Sequence, residues 1–167
     1  VRKHAPAVKY LEHVNSMEAY ESGRIKIRYL PTENRVLFYT NDGTGAVGRA
    51  LDGRLPKWWK YGDTTQGITV GSGQHAVLVE DIASACAVSR LEGVVGFALL
   101  GTNLTTEIKQ QLVKYIKVTL VLDNDASSKA VYLSKKHGVV TNLRLTKEDL
   151  KCLSLREIQK VIDRGVY

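Results

Sequence analysis

The sequence predicts an α/β protein: a mainly parallel four-stranded sheet with flanking helices, preceded by a small antiparallel, basic unit. Three observations carry this reading. From residue 74 onward, short apolar runs alternate with helical patterns, the rhythm of strand–helix–strand units with crossover connections. One of those runs, Val118 to Leu122, contains no Gly or Pro and is apolar enough for a strand buried on both faces. Before residue 74 the rhythm differs: segments of period two, thick with turn residues and positive charge, read as hairpins.

Taken in order, residues 1–22 are polar and basic, with a loose helical spacing through Val8, Leu11, Val14 and Met17. They predict one short helix. RIKIRYL then alternates Ile25, Ile27 and Tyr29 with Arg24, Lys26 and Arg28, and RVLFYT follows after a turn at Pro31–Asn34. These are two strands of a hairpin. A turn at Asn41-Asp42-Gly43 leads to a third strand around Ala46 to Leu51, and LPKWWK closes the unit after Asp52-Gly53. Residues 1–73 thus form a basic N-terminal subdomain, residues 74–146 the α/β domain, and residues 147–167 a helical tail.

Within the α/β domain, HAVLVE is a strand ending at Glu80, DIASACAVSRLEG a helix closed by Gly93, and VVGFALLG a second strand. A helix from Glu107 to Tyr115 follows, with Thr105 as its N-cap. The third strand ends on Asp123-Asn124-Asp125, a helix from Ser128 to His137 is stopped by Gly138, and VVTNLRL is the fourth strand. The tail is helical, with Ser154 and Glu157 spaced as a capping box.

Lys and Arg outnumber Asp and Glu by 24 to 17, a net charge of +7. That balance favours a polyanionic partner such as nucleic acid over an acidic or neutral one. Cys86 and Cys152 suggest a reducing compartment rather than a disulfide scaffold. No apolar run is long enough to cross a bilayer, and the opening residues do not read as a signal peptide. The start on Val reads as a domain cut from a longer protein.

Several strings resemble known sites and fail on context. Gly43-Thr44-Gly45-Ala46-Val47-Gly48 spells GxGxxG, but a strand follows it instead of a helix, so it reads as a glycine-rich hairpin. Asp123-Asn124-Asp125 has Ser128 and Ser134 where a calcium loop needs Gly and Glu. The histidines and cysteines lack zinc spacing, and no GxxxxGK[ST] is present.

A triad of acids remains. Glu80 ends one strand, and Asp123 and Asp125 end another. Adjacent strands of a doubly wound sheet would bring all three to one edge, where open α/β proteins bind ligands. Three carboxylates in one place repel unless a divalent cation lies between them, and oxygen donors suit Mg²⁺ or Mn²⁺. The plainer alternative is that such acids simply cap the following helices, Asp81 or Ser84 at one end and Asp125 at the other.

These residues carry a resemblance. LVED at Leu78–Asp81 followed by VLDND at Val121–Asp125 resembles the Toprim domain of primases, topoisomerases and some nucleases. Leu100-Gly101-Thr102-Asn103-Leu104-Thr105 resembles the GT-LT segment of bacterial and phage-type primases. RVLFYTNDGTGAVGRAL and PKWWKYG resemble the basic subdomain that precedes Toprim there, and LTKEDLKCLSLREI resembles the tail that follows it. The similarity runs from Arg24 to Asp163. Asn124 replaces the usual central Gly, Ser84 stands where many members have Asp, and Ala126–Lys129 departs from the usual A-G-R.

The resemblance implies a DNA primase, a nucleotidyltransferase that makes short RNA primers on single-stranded DNA and is used in DNA replication. Its catalytic and metal-binding acids would be Glu80, Asp123 and Asp125, with Asp149 as a further ligand to Mg²⁺ or Mn²⁺. Arg49, Lys57 and Lys60 would hold template, with Arg24, Lys26 and Arg28 behind them, and Trp58 and Trp59 either stack on bases or plug the seam between subdomains. Lys129 and Lys135 either contact triphosphate or form a solvated helix face. Implied partners are the template, ribonucleoside triphosphates, a zinc-binding module and a helicase. The implied location is the cytoplasm, that of a bacterial host if the chain is phage-encoded. A Toprim nuclease and a non-catalytic single-strand-binding module are the rival readings.

Overall fold

The computed structural model describes residues 1–100, 104–123 and 142–164. Among the described residues, nine strands form two sheets. The first is antiparallel, with order β1 (Ile27–Leu30), β2 (Arg35–Tyr39), β3 (Gly45–Ala50) and β4 (Trp58–Gly62). The second has order β5-β7-β6-β8-β9, from β5 (Ile68–Val70), β6 (His75–Val79), β7 (Val94–Ala98), β8 (Lys117–Asp123) and β9 (Asn142–Thr146).

The four parallel strands expected from the sequence are all present, since β6 pairs in parallel with β7 and β8, and β8 with β9. The sheet nevertheless has a fifth strand. β5 is only three residues long and pairs antiparallel with β7 along the edge. Its brevity hides it among the Gly and Thr residues around it, and the pairing places it in the second sheet although it precedes residue 73.

The N-terminal helical pattern divides in two, α1 (Ala5–His13) and α2 (Met17–Glu21). Asn15 breaks it, adopting φ 58°, a conformation Asn tolerates better than most residues. Its side-chain amide donates to the Lys151 carbonyl at 2.8 Å, tying the start of the chain to its tail. α3 (Ile82–Val88) ends before the expected Gly93, where the Ser89 hydroxyl donates to the Cys86 carbonyl at 2.7 Å. α4 (Thr106–Leu112) begins as expected, with the Thr105 side chain accepting from the Ile108 amide. The tail is a short 3₁₀ turn, Leu150–Cys152, then α5 (Leu155–Arg164). The Ser154–Glu157 capping box closes in both directions, at 3.1 and 3.2 Å. The helix expected over 128–137 lies outside the described residues.

Each face of the second sheet has its own apolar layer, as alternation along a doubly covered strand requires. Ala76, Leu78, Phe97, Val118, Leu120 and Leu122 pack with Leu104, Ile108 and Leu112 of the α4 segment. Val77, Val79 and Val121 face the other way, into a larger core with α3 and α5. That core runs on without interruption into α1 and the first sheet through Leu11, Val36, Phe38 and Val47. One shared core therefore holds the two sheets together.

Gly96 sets how closely α3 lies on the sheet. A methyl group there would run into the Ala85 carbonyl, so glycine is the residue that lets the helix backbone approach β7.

The candidate acidic edge and the cleft above it

Because β6 and β8 are parallel neighbours, their C-terminal ends lie at the same edge of the sheet. Glu80 follows directly on β6 and Asp123 is the last residue of β8, with Thr146 opposite it on β9. The backbone of Glu80 is held in place, its carbonyl accepting from the Leu100 amide at 2.8 Å. Leu100 itself has φ 58°, an unusual conformation for a residue with a branched side chain. Asp125, Lys129 and Lys135 lie outside the described residues, as do residues 101–103 of the GT-LT segment.

Asp149 reaches the same edge. Together with Glu80, Asp81, Ser84 and Thr146 it lines a small cavity of ≈ 40 Å³. Its carboxylate lies 3.6 Å from the Lys151 ammonium, which is also 3.7 Å from that of Asp81. Asp81 has a second task as N-cap of α3, accepting from the Ser84 amide at 2.8 Å and its hydroxyl at 3.0 Å. The capping reading of the acids thus holds for Asp81, and Lys151 neutralises two of the carboxylates. Among the described residues no three Asp, Glu, His or Cys side chains converge as a metal cluster.

Sequence reasoning overlooked Lys151. Its signal was weak, a lysine two residues after Asp149 in a segment that reads simply as amphipathic.

Above Glu80 a second cavity of ≈ 230 Å³ opens between the two sheets. Val47, Trp58 and Lys60 form one wall, and Glu80, Asp81, Ile82 and Leu100 the other. The ladder explains the first wall. Register puts Val47 opposite Lys60 and Arg49 opposite Trp58, so these four side chains share the face turned toward the core. Arg49 stands near two aromatic rings, 5.4 Å from the Tyr10 centroid and 5.6 Å from that of Trp58. Trp58 in turn packs on Phe38, with centroids 6.2 Å apart. Both readings of the tryptophans are thus separated by position: Trp58 fills the seam and Trp59 stands 50% exposed.

Tyr10 is the other residue that sequence reasoning passed over. Its hydroxyl is buried and without a hydrogen-bond partner among the described residues. Burial pushes its ionisation far up, against the opposing pull of the Arg49 charge.

The remaining basic candidates do not join this cleft. Arg28 shares its row with Leu37, Gly48 and Trp59, and Lys26 and Lys57 occupy neighbouring rows of that same outward face. A strand turns successive side chains to opposite sides, so residues 57–60 cannot all serve one groove. Arg24 lies off the strands altogether, 3.9 Å from Glu18.

Among solved structures, the chain is similar to the E. coli primase catalytic core, with a TM-score of 0.68 and 17% identity over 96% of this chain and 72% of that one. It is similar to the DnaG primase catalytic domain bound to ssDNA, at TM-score 0.58 and 19% identity over 79% of this chain and 50% of that one. It is similar also to the zinc-binding and RNA polymerase domains of Aquifex aeolicus primase, at TM-score 0.59 and 23% identity over 93% and 48% respectively. The chain therefore spans 72% of the first and about half of the other two. No family model and no curated protein matches the sequence. What the likeness shows is the fold, that of the primase catalytic core.

Proposed function

We propose that this primase-core fold works as a primase domain, joining ribonucleotides into short primers on single-stranded DNA by metal-dependent nucleotidyl transfer. One observation supports this most: Glu80 and the end of β8 meet at a sheet edge that faces a cleft walled by Trp58 and Lys60, with Arg49 next to the Trp58 ring. An edge of hard oxygen donors opposite fixed cations suits a substrate made of phosphates.

In the transfer, the 3′-hydroxyl oxygen of one nucleotide attacks the α-phosphorus of the next. A P–O ester forms, the bond to the β-phosphate breaks, and pyrophosphate leaves. Arg49, held near the Tyr10 and Trp58 rings, binds phosphate through its guanidinium. Lys60 adds a point charge on the cleft wall, and Trp58 gives the cleft an apolar surface on which a base can lie.

The residue types fit a hard divalent cation, because Glu80, Asp81, Ser84, Thr146 and Asp149, all with side-chain oxygens, line the small cavity beside Glu80. Glu80, Asp123 and Asp125 would hold Mg²⁺ or Mn²⁺, with Asp149 beside them. Bound there, the ion supplies charge neutralisation on the triphosphate and activation of the attacking hydroxyl. Lys151 keeps Asp81 and Asp149 neutralised in the meantime.

On the same reading, a zinc-binding module and a helicase act with this domain, in the same or a separate chain, in the cytoplasm. No described helix is long and apolar enough to cross a membrane. The test is primer synthesis on mixed single-stranded templates with Mg²⁺ and ribonucleotides. Products of a few nucleotides that require template, and vanish in Glu80→Gln, support the reading. Template cleavage in the absence of nucleotides, or binding without either product, overturns it.

A further inference from the structure

Lys151 is fixed at both ends of its side chain. Its backbone lies in the 3₁₀ turn, where Leu150 and Leu153 are buried in the shared core, and its carbonyl accepts from the Asn15 amide at 2.8 Å. Its ammonium lies 3.7 Å from one Asp81 carboxylate oxygen and 3.6 Å from one of Asp149. The side chain is 17% exposed, so its stem is covered while its tip meets the two acids. Both distances exceed the about 2.7–2.9 Å of a charge-assisted hydrogen bond. The ammonium is therefore shared between the carboxylates rather than pressed onto either.

Carboxylate, cation, carboxylate is also the order in which a divalent ion would hold this pair. Asp81 and Asp149 line the ≈ 40 Å³ cavity with Glu80, Ser84 and Thr146. That cavity adjoins Glu80, so a second ion beside one held by Glu80 and Asp123 would stand there. A lysine brings positive charge to the place without a demand for coordination, and it repels a divalent ion that approaches the same oxygens. The plainer reading is an ion pair that ties the tail to α3. The tail is already tied, however, by the Asn15 bond and by Leu150, Leu153 and Ile158 in the core. Asp81 is likewise already in use as the cap of α3.

We propose that Lys151 is a resident cation: it takes the place of a divalent ion between Asp81 and Asp149 and confines metal to the Glu80 and Asp123 end of the edge. It is a positioning residue, acting through the two carboxylates that it holds. The ion at Glu80 and Asp123 rests on the proposed reaction, whereas the place of Lys151 is read without synthesis.

The probe is Mn²⁺ alone, counted on the full chain by the paramagnetic resonance of the free ion. Wild type should bind one equivalent. Lys151→Met keeps the length of the stem and removes its charge; it should bind a further ion at least on the order of tenfold more tightly than wild type does. Adding Asp149→Asn should abolish that gain, and Lys151→Arg, which keeps the charge, should count as wild type. Without metal, Lys151→Met should have the lower urea midpoint, because two acids lose their counterion, and Mn²⁺ should raise that midpoint more than it raises the wild type's. Lys151→Gln supplies the same count if Lys151→Met folds poorly. No ion on wild type but one on Lys151→Met, lost with Asp149→Asn, supports the role of Lys151 and overturns the metal-dependent reaction. Equal ion count and affinity in the two proteins overturns the inference and leaves the reaction standing. So do two ions on wild type, and so does a loss of stability in Lys151→Met that Mn²⁺ does not offset.

Discussion

The Arg49 guanidinium lies 5.4 Å from the centre of the Tyr10 ring, so a helix at the start of the chain holds a cation next to Trp58, which lines the cleft between the sheets. The Trp58 ring centre is 5.6 Å from the same group. Lysine has neither the flat face to pack on rings nor the forked donors to meet a phosphate in a fixed orientation. Arg49→Lys should lower primer synthesis tenfold or more, by the order of one lost oriented charge contact, while circular dichroism stays unchanged. Tyr10→Phe keeps the ring and removes a buried hydroxyl that lacks a partner among the described residues. Urea denaturation should show it neutral or up to about 1 kcal/mol more stable.

The acids at the edge should separate catalysis from folding. Glu80→Gln and Asp123→Ala are expected to reduce primer synthesis by about a hundredfold or more, the usual scale for loss of one charge contact made in the transition state. Strand binding measured by anisotropy should change little. A variant that keeps near-normal synthesis would remove the residue from the reaction.

Gly96→Ala probes the contact between α3 and β7. The added methyl meets the Ala85 carbonyl, so helix and sheet must part or the backbone must shift. Overpacking of this kind costs on the order of 1–3 kcal/mol, to be read as a lower urea midpoint with an unchanged slope.

The two cysteines should behave differently. Cys86 is buried and its thiol is pushed up to about 12, chiefly by desolvation, whereas Cys152 is exposed. A thiol reagent at pH 8 should modify one equivalent in the native protein and a second only on denaturation. Cys152→Ser should abolish the fast equivalent.

His75 gives a pH dependence. Its ring nitrogen lies 2.7 Å from the Thr119 hydroxyl at the other end of the sheet. Burial first, then the Lys117 charge, lower its ionisation below the usual 6.5, with Asp163 acting the opposite way. The unfolded chain therefore binds more protons below that value, and this group's contribution to stability declines as pH falls through and below 6.5. His75→Gln should flatten the fall in urea midpoint between about pH 7 and pH 5 relative to the wild type.

Residues 57–60 show where local reading stops. Alternation alone says that Trp58 and Trp59 face opposite sides, yet all four residues invite assignment to one basic groove. Which side holds the acids depends on how the first sheet docks against the second, and that is decided by Val36, Phe38 and Val47 entering the shared core. The three-residue β5 was illegible for a related reason: its strand character comes from pairing with β7 rather than from its own sequence.

By itself, the sequence determined the order and type of the long elements, the parallel sheet, the capping of α4 and α5, and the placing of Glu80 and Asp123 at strand ends. These follow from periodicity and from side-chain hydrogen bonds within a few residues, which are local. Only the tertiary structure decided that Lys151 lies between Asp81 and Asp149, that Tyr10 holds Arg49, and that the basic residues divide between two faces. Those arrangements join segments far apart in the chain, and the shared core that brings them together is formed only when both sheets pack.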